Sequence, residues 1–435
     1  MSNSLIKNTP LPSRRRFLQG AALASALAVG SEVVYPKADG SGDLPAAFTS
    51  LKPLGARVQP VTPQEFKSRL AHGQQLMGEL QPPLDALFFS AGTSLYYFTG
   101  IRWGLSERLM GMVLPRKGAA FLLVPAFEEG RLREKLRFPI DIQVWQEDQS
   151  PTNVAAHALG ELGLRSGRIG VEETTGFTFA DHFRQAAPAF EFVSADPVTI
   201  ACRGHKTAHE LDLIRLACAA TFDVFRAVFA SLKAGISQGE IGSWIESGFA
   251  RMGLRGGALV LIGASAALPH GSAKPQTLRE GDVVLIDGGC TVEGYESDVT
   301  RTGVFGKPSE KIQSVYEIVR RAQDAALDAA RAGKLSGTVD DGARAVITTA
   351  GYGPDYKFFT HRLGHGIGLD GHEHPYLVRG SKTILQPNMT FSNEPGIYIP
   401  GEFGLRCEDL MVIAADGPAQ LLTPGFPVSL EKPLG

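Results

Sequence analysis

The sequence predicts a mixed α/β (α+β) chain in two parts: a smaller α/β domain over residues 58–200 and a larger domain over residues 205–435. Three observations predict it. Strand-like and helix-like patterns alternate through residues 58–198. Two capping boxes, Thr207-Ala208-His209-Glu210 and Ser237-Gln238-Gly239-Glu240, open long helices just past residue 205. Beyond them, apolar strand-like segments carry a set of carboxylates and histidines. The chain has 435 residues, enough for two domains with cores of their own. At 43% hydrophobic and 20% charged residues it is neither disordered nor fibrous. A net charge of −2 gives no electrostatic pull toward nucleic acid or an anionic membrane surface, and neither is expected as a partner.

The elements follow in order. Ser13-Arg14-Arg15-Arg16-Phe17-Leu18-Gln19 precedes a weakly apolar run over residues 20–30 and resembles a twin-arginine export signal. That resemblance implies a leader over residues 1–38 and a periplasmic or secreted protein. The plainer alternative is a basic disordered tail. The run is too short and too rich in Ala and Gly for a membrane span, and no Cys precedes Cys202, so no membrane anchor is expected. Cleavage sites are offered by Ala26-Leu27-Ala28 and by a stretch ending at Ala38. Residues 39–57, rich in Gly, Pro and Ser, read as a linker. A helix is predicted over residues 66–80, and strands over 84–89, 119–124, 167–171 and 190–193. The helix after Thr207 extends to about Lys233. The helix after Ser237 carries Ile241, Trp244, Ile245 and Phe249 on one face and stops at Gly253. Ser309 opens a third, with Ile312, Val315, Ile318, Val319 and Ala322 at helical spacing; a fourth is expected over 339–349.

The chemistry concentrates in five residues: Asp287, Asp298, His365, Glu394 and Glu408. They lie in the stretches IDGGCTVEGYESDVTRTG, HRLGHGIGLDGHEHP, FSNEPGIY and LRCEDL. Four carboxylates and one imidazole, without a thiolate, suit Mn, Co, Zn or Fe better than a structural zinc site. Two such ions about 3.5–4 Å apart can activate a water and polarise a carbonyl together, so hydrolysis is expected. Residues 283–286 are apolar on both faces and read as a buried strand delivering Asp287, a charge that must be paired or metal-bound. A turn near residues 292–294 returns the chain through 295–303. The odd separation of Asp287 and Asp298 lets them lie directly opposite in a hairpin, where a cation reverses their repulsion. Two solvated aspartates beside a turn are the plainer alternative. Residues 405–413 read as one strand whose period of two puts Arg406 and Glu408 on one face; taken alone, that face reads more readily as a surface ion pair. Glu394 precedes Pro395-Gly396 and is therefore extended before a turn. Gly364, Gly366 and Gly368 argue against a helix through His361 and His365, and for backbone packed close to a ligand. A phosphate-cradling loop would need a lysine and a strand–loop–helix context that are missing here.

At these residues the chain resembles the pita-bread metallopeptidases, the group of methionine aminopeptidase, aminopeptidase P and prolidase, from about residue 205 to 432. Ser94-Leu95-Tyr96-Tyr97-Phe98-Thr99-Gly100 resembles the N-x-x-Y-L-T-G segment of the creatinase/prolidase N-terminal domain, without its Asn, in a weaker match over roughly 60–198. Methionine aminopeptidases lack that domain, so the Xaa-Pro branch is indicated. The resemblance implies a pita-bread catalytic domain behind a creatinase-like one, and two divalent ions, Mn first and Co, Zn or Fe as alternatives. Asp287 would chelate one ion, His365 and Glu394 the other, and Asp298 and Glu408 both. A bridging water or hydroxide would attack, with Glu394 passing its proton to the leaving nitrogen. His270 would lie on the substrate side. His361 and His372 would donate to the substrate carboxylate or the oxyanion, and Arg406 would orient ligands. The substrate would be a proline-containing peptide or dipeptide, the assembly a homodimer or homotetramer. His374 receives no role. A metal-free creatinase-like C–N hydrolase and a silent peptide-binding module are the alternatives, and both anticipate missing carboxylates. Cys290 and Cys407 read as buried free thiols, or as a disulfide if their strands are neighbours. Trp103 and Arg108 read as loop surface, or as contributors to a neighbour's pocket.

Overall fold

Six short strands build the first sheet in the computed structural model, which describes residues 44–425 and 428–435. They are β1 (Ala86–Ser90), β2 (Gly111–Pro115), β3 (Phe121–Pro125), β4 (Asp141–Trp145), β5 (Gly167–Val171) and β6 (Phe190–Ser194), in the order β4-β3-β2-β1-β5-β6. The sheet is mixed, because β1 pairs antiparallel with β2 and parallel with β5. Central strands covered on both faces need continuous apolar runs, and both ALFFS and GMVLP are buried throughout. β2 and β4 were not expected. A short apolar run carries no period to separate it from a buried helix, and β4 is a largely exposed edge. The first helix, Pro63–Glu79, begins earlier than predicted because Thr62 and Glu65 form a capping box with Pro63 at its first position.

The export-signal expectation lies outside the described residues, as do residues 39–43 of the expected linker. The rest of that linker is not a tether. Residues Ala46–Ser50 and Gly55–Arg57 form tight turns that bury Phe48, Leu51 and Leu54. Phe48 meets the Trp244 ring edge-on at 6.3 Å between centroids. The Gly/Pro/Ser background concealed three apolar anchors, which outweigh it once they reach the core.

The second part begins as expected, with capping boxes at Thr207 and Ser237 opening helices Ala208–Phe229 and Gln238–Arg251. Ser309 caps Glu310–Ala329, and Ser336–Ile347 follows. Helices 208–229 and 238–251 pack on β7 (Arg255–Ile262) and β8 (Val283–Val292). β9 (Tyr295–Glu296) and β10 (Val299–Val304) return along β8, giving the order β10-β8-β7. Helices 310–329 and 336–347 share a second apolar core with the remaining strands. Those are β11 (Gly364–Gly366), β12 (Glu373–Leu377), β13 (Thr390–Asn393), β14 (Gly396–Ile399), β15 (Phe403–Arg406), β16 (Asp409–Val412) and β17 (Gln420–Leu421). They form a sheet in the order β12-β11-β13-β16-β17 and a β14-β15 pair.

Buried ion pairs lock the first part to the second. Arg69 lies 3.2 Å from Glu210, which also accepts from the Tyr295 hydroxyl at 2.5 Å. Arg203 and Lys206 both contact Glu373 at 2.6 Å, pinning the start of β12. All four cysteines are free and buried. Cys290 and Cys407 sit in two different apolar cores, so the disulfide alternative is not realised. Trp103 stacks under Arg131, and Arg108 pairs with Glu147 at 2.9 Å, so both are engaged within their own chain. No helix among the described residues is long and apolar enough to cross a membrane.

Candidate metal centre

The apolar residues of β8 carry Asp287 to the junction of the two sheets. The turn joining β8 to β9 has two residues, Glu293 and Gly294, with φ of 49° and 88°. This left-handed pair suits the twist of a tight hairpin. It also sets the register: Asp287 faces Thr300 and Gly288 faces Val299. The expectation that Asp287 and Asp298 lie directly opposite is therefore corrected. They are offset by two residues, which preserves the face, so Asp298 remains a diagonal neighbour. Gly289 permits the approach, since a Cβ there would lie 2.0 Å from the Ser297 carbonyl.

The predicted strand over 405–413 is broken at Cys407–Glu408, where the chain passes from β15, paired with β14, to β16, paired with β13. The break aims both side chains inward. The Arg406 Nη2 contacts Asp287 Oδ2 at 2.5 Å, and the Glu408 N–H donates to the Thr300 carbonyl at 3.1 Å. Thr300 Oγ1 lies 2.5 Å from Asp287 Oδ1 and 2.7 Å from Glu408 Oε2, and accepts from Arg406 Nε at 3.1 Å.

His365 sits on β11, squeezed between β12 and β13. A Cβ on Gly364 would lie 2.1 Å from the Ser392 carbonyl, and one on Gly366 2.5 Å from that of Glu373. The glycines thus serve close strand packing rather than a ligand's approach. Asp340 and Arg344, on helix 336–347, hold the preceding loop: Asp340 accepts from the Leu363 N–H at 2.8 Å and Arg344 donates to the His361 carbonyl at 2.5 Å. Ser392 Oγ accepts from the His365 N–H at 3.1 Å and donates to Glu394 Oε1 at 3.3 Å.

The structure brings all five expected residues together. Ligand atoms of Asp287, Asp298 and Glu408 lie within 4.8 Å of one another, as do those of His365, Glu394 and Glu408, and those of Asp298, His365 and His372. His365 Nε2 is 3.4 Å from Glu394 Oε1 and 3.8 Å from Asp298 Oδ2. Two atoms in this cluster, His365 Nε2 and Glu408 Oε1, are buried with no hydrogen-bond partner in residues only 1% exposed. Buried polar atoms are rarely left unpaired, and both of these belong to residues whose ligand atoms lie within 4.8 Å of one another.

The charges agree. Burial, then Asp287 and Glu394, push Asp298 well above the usual carboxylate range; burial and the neighbouring acids do the same to Glu408. Burial raises Glu394 to about 8 and lowers His365 to about 3. Asp287 moves the other way, because Arg406, Thr300 and Glu408 together outweigh its burial. Acids forced toward neutrality around an unprotonated imidazole are an environment that divalent cations reverse. The donor set and the two orphaned atoms fit metal ions.

The surrounding histidines divide. His372 stacks on His365 with centroids 3.7 Å apart, and its Nδ1 accepts from Arg362 Nη2 at 3.4 Å, leaving Nε2–H free to donate. His270 is exposed, and its ring has no hydrogen-bond partner among the described residues. The preceding carbonyl of Pro269 accepts from Arg406 at 3.3 Å, which ties that loop to the centre. The expectation that His361 donates to substrate is corrected. Its Nδ1 donates to the Arg362 carbonyl at 2.8 Å, and its Nε2 takes the Tyr398 hydroxyl at 2.8 Å. Burial lowers its pKa to about 3, so the ring is neutral and has no proton left to give. His374 faces Glu173 at 3.7 Å, away from the cluster. Sequence reasoning missed Thr300, Tyr398 and Arg362. Thr300 was legible as the residue two past Asp298 on the same strand face; Tyr398 and Arg362 carried no signal of their own.

Residues 212–415 match the family described as Metallopeptidase family M24, and residues 69–205 match the Creatinase/Prolidase N-terminal domain. The Xaa-Pro dipeptidase of Pyrococcus furiosus is 32% identical over 82% of this chain and 98% of its own. The probable dipeptidase PepE of Mycobacterium tuberculosis is 35% identical over 77% of this chain and 88% of its own. Among solved structures, dipeptidase PepE from Mycobacterium ulcerans superposes with a TM-score of 0.78 at 32% identity, covering 84% of this chain and 98% of that one. A prolidase from Thermococcus sibiricus gives 0.74 at 31% identity, covering 83% and 97%.

Proposed function

The chain belongs to metallopeptidase family M24, with a creatinase/prolidase N-terminal domain ahead of the catalytic part, and from this premise we propose that it is a metallo-exopeptidase hydrolysing the Xaa-Pro bond at the N-terminus of dipeptides or short peptides. The observation that carries the reading is the convergence of five ligand residues in groups that share Glu408, with two buried ligand atoms unpartnered. Relatives named Xaa-Pro dipeptidase support the substrate class. In this reading Asp287, Asp298, His365, Glu394 and Glu408 would hold the ions: Asp287 would serve one, His365 and Glu394 the other, and Asp298 and Glu408 would be shared. The oxygen-rich set favours Mn, with Co, Zn or Fe as alternatives. Bound there, two divalent ions would supply an acidified water and polarisation of the scissile carbonyl.

The remaining chemistry belongs to side chains. Glu394 takes the proton that the attacking water gives up and returns it to the leaving proline nitrogen, which has no N–H and departs only when protonated. His372 donates Nε2–H to the oxyanion, a role its contact with Arg362 supports. His270 closes the substrate side. Arg406 and Thr300 hold Asp287, and His361 holds Tyr398, whose hydroxyl contacts Arg406 at 2.9 Å. The SRRRFLQ stretch supports twin-arginine export to the periplasm or beyond, and a homodimer or homotetramer stays part of the proposal.

Metal-depleted protein reloaded with Mn, Co or Zn is offered Xaa-Pro dipeptides, Xaa-Pro-Yaa peptides and creatine. Metal-dependent release of the N-terminal residue is expected. Creatine turnover without metal would install the creatinase-like alternative instead.

A further inference from the structure

We propose that Glu296 binds a positively charged side chain on the residue before the scissile bond, so that the enzyme prefers substrates beginning Lys-Pro or Arg-Pro. The inference rests on the Xaa-Pro reading and deepens it.

The hairpin places Glu296 on the metal face. Glu296 is opposite Thr291 and Val299 is opposite Gly288, so the register runs unshifted through Asp298. The Ser297 N–H, donating to the Cys290 carbonyl at 3.0 Å, keeps it so. Side chains at 296, 298 and 300 therefore share one face. On that face Thr300 contacts Asp287 and Glu408, and Asp298 belongs to the ligand cluster. The opposite face carries Tyr295, Ser297 and Val299, all buried. The Glu296 N–H donates to the Gly368 carbonyl at 2.8 Å, which joins it to the loop between His365 and His372.

The Glu296 carboxylate is uncommitted. It is half-buried, and among the described residues it has neither an ion pair nor a side-chain hydrogen bond. Neighbouring acids differ. Asp370 accepts from Thr93 at 2.6 Å and pairs with Arg203 at 2.5 Å, while Glu373 pairs with Arg203 and Lys206 at 2.6 Å. Arg102, whose charge reaches Glu296, lies over the Tyr96 ring instead, 4.1 Å from its centroid. A carboxylate partly withdrawn from water without a partner carries a desolvation cost that a bound cation offsets.

The geometry also selects the cation. In the proposed reaction Glu394 serves the leaving nitrogen, so proline lies at its end of the cluster. Asp298 stands at another end. His365 Nε2 is 3.4 Å from Glu394 and 3.8 Å from Asp298, yet among the described residues those two acids share no group of ligand atoms within 4.8 Å. The residue before the bond therefore extends past Asp298 toward Glu296. Two residues of extended strand separate these acids by about 6.6 Å. A lysine side chain reaches about 6 Å from its Cα, and arginine slightly further. The α-ammonium nitrogen sits only about 1.5 Å from that carbon. The span fits a basic side chain and not the α-amino group.

The test uses Mn-loaded full-length protein with Lys-Pro and norleucyl-proline, which keeps the four-carbon stem and lacks the ammonium. The parent should favour Lys-Pro. In Glu296→Gln the ratio of kcat/KM for Lys-Pro over norleucyl-proline should fall by about tenfold to a hundredfold, mostly through KM, whatever common loss both substrates share. Glu296→Lys should invert the charge preference and favour Glu-Pro over Lys-Pro. An equal loss on both substrates in Glu296→Gln, as recognition of the α-amino group or a purely structural role would give, overturns the inference. So does a parent enzyme that treats both substrates alike, and either result leaves the Xaa-Pro reading standing. Failure of the parent to cleave either peptide overturns both.

Discussion

Replacing Thr300 by Val keeps the shape of a fully buried side chain and removes one hydroxyl. That hydroxyl touches Asp287 Oδ1, Glu408 Oε2 and Arg406 Nε, at 2.5, 2.7 and 3.1 Å. A single O–H donates to only one carboxylate at a time, so the variant loses one charge-assisted bond and one acceptor for Arg406. A hydrogen bond to a charged group contributes about 1.5–3 kcal/mol. At about 1.4 kcal/mol per tenfold, metal affinity should fall roughly 10- to 100-fold, the range typical of groups that orient ligands. Competition with a chromophoric chelator for Mn measures it directly. Thr300→Ser, which retains the hydroxyl, should stay within about threefold of the parent. Equal Mn affinity in Thr300→Val and the parent would refute the claim that Thr300 orients the ligands. A Ser variant as weak as the Val variant would show packing of the methyl group to be responsible instead.

Further outcomes follow from the same geometry. Glu408→Ala or Asp298→Ala should release both ions together, measured as metal per protein after gel filtration; loss of one ion alone would refute their shared role. Gly289→Ala pushes a Cβ to 2.0 Å from the Ser297 carbonyl, so the hairpin must move. The variant should melt lower by the equivalent of about 1–3 kcal/mol or more and bind less Mn than the parent. Metal-free protein should lose thermal stability as pH rises from about 6.5 to 8. Glu394 is raised to about 8, and Asp298 and Glu408 are raised as well, so the folded state holds protons that the unfolded chain has already released. Below about 6.5 the lowered histidines, His361 and His365, oppose that trend. Saturating Mn should flatten the slope, and a metal-free melting temperature independent of pH over this window would contradict the charge balance.

Much of this was legible in the sequence for identifiable reasons. The capping boxes at Thr207 and Ser237 are local, so they formed where expected. The approach to Asp287 is apolar on both faces, so burial of its charge could be foreseen. Register could not be foreseen, because an odd separation fits more than one loop length; the two-residue turn at Glu293-Gly294 pairs Asp287 with Thr300. The break at Cys407–Glu408 was hidden, because a strand that changes partners keeps its alternating pattern. His361 was misjudged because only three-dimensional partners, the Arg362 carbonyl and Tyr398, reveal where its protons are committed. Phe48, Leu51 and Leu54 were overlooked because composition was averaged over a window in which three residues mattered.

The most direct measurement is a titration of Mn into metal-free protein while hydrolysis of Ala-Pro is followed. A two-ion centre predicts no cleavage at zero metal and activity that stops rising near two equivalents. Cleavage unaffected by chelation, or saturation with no Xaa-Pro hydrolysis at any Mn concentration, would contradict it.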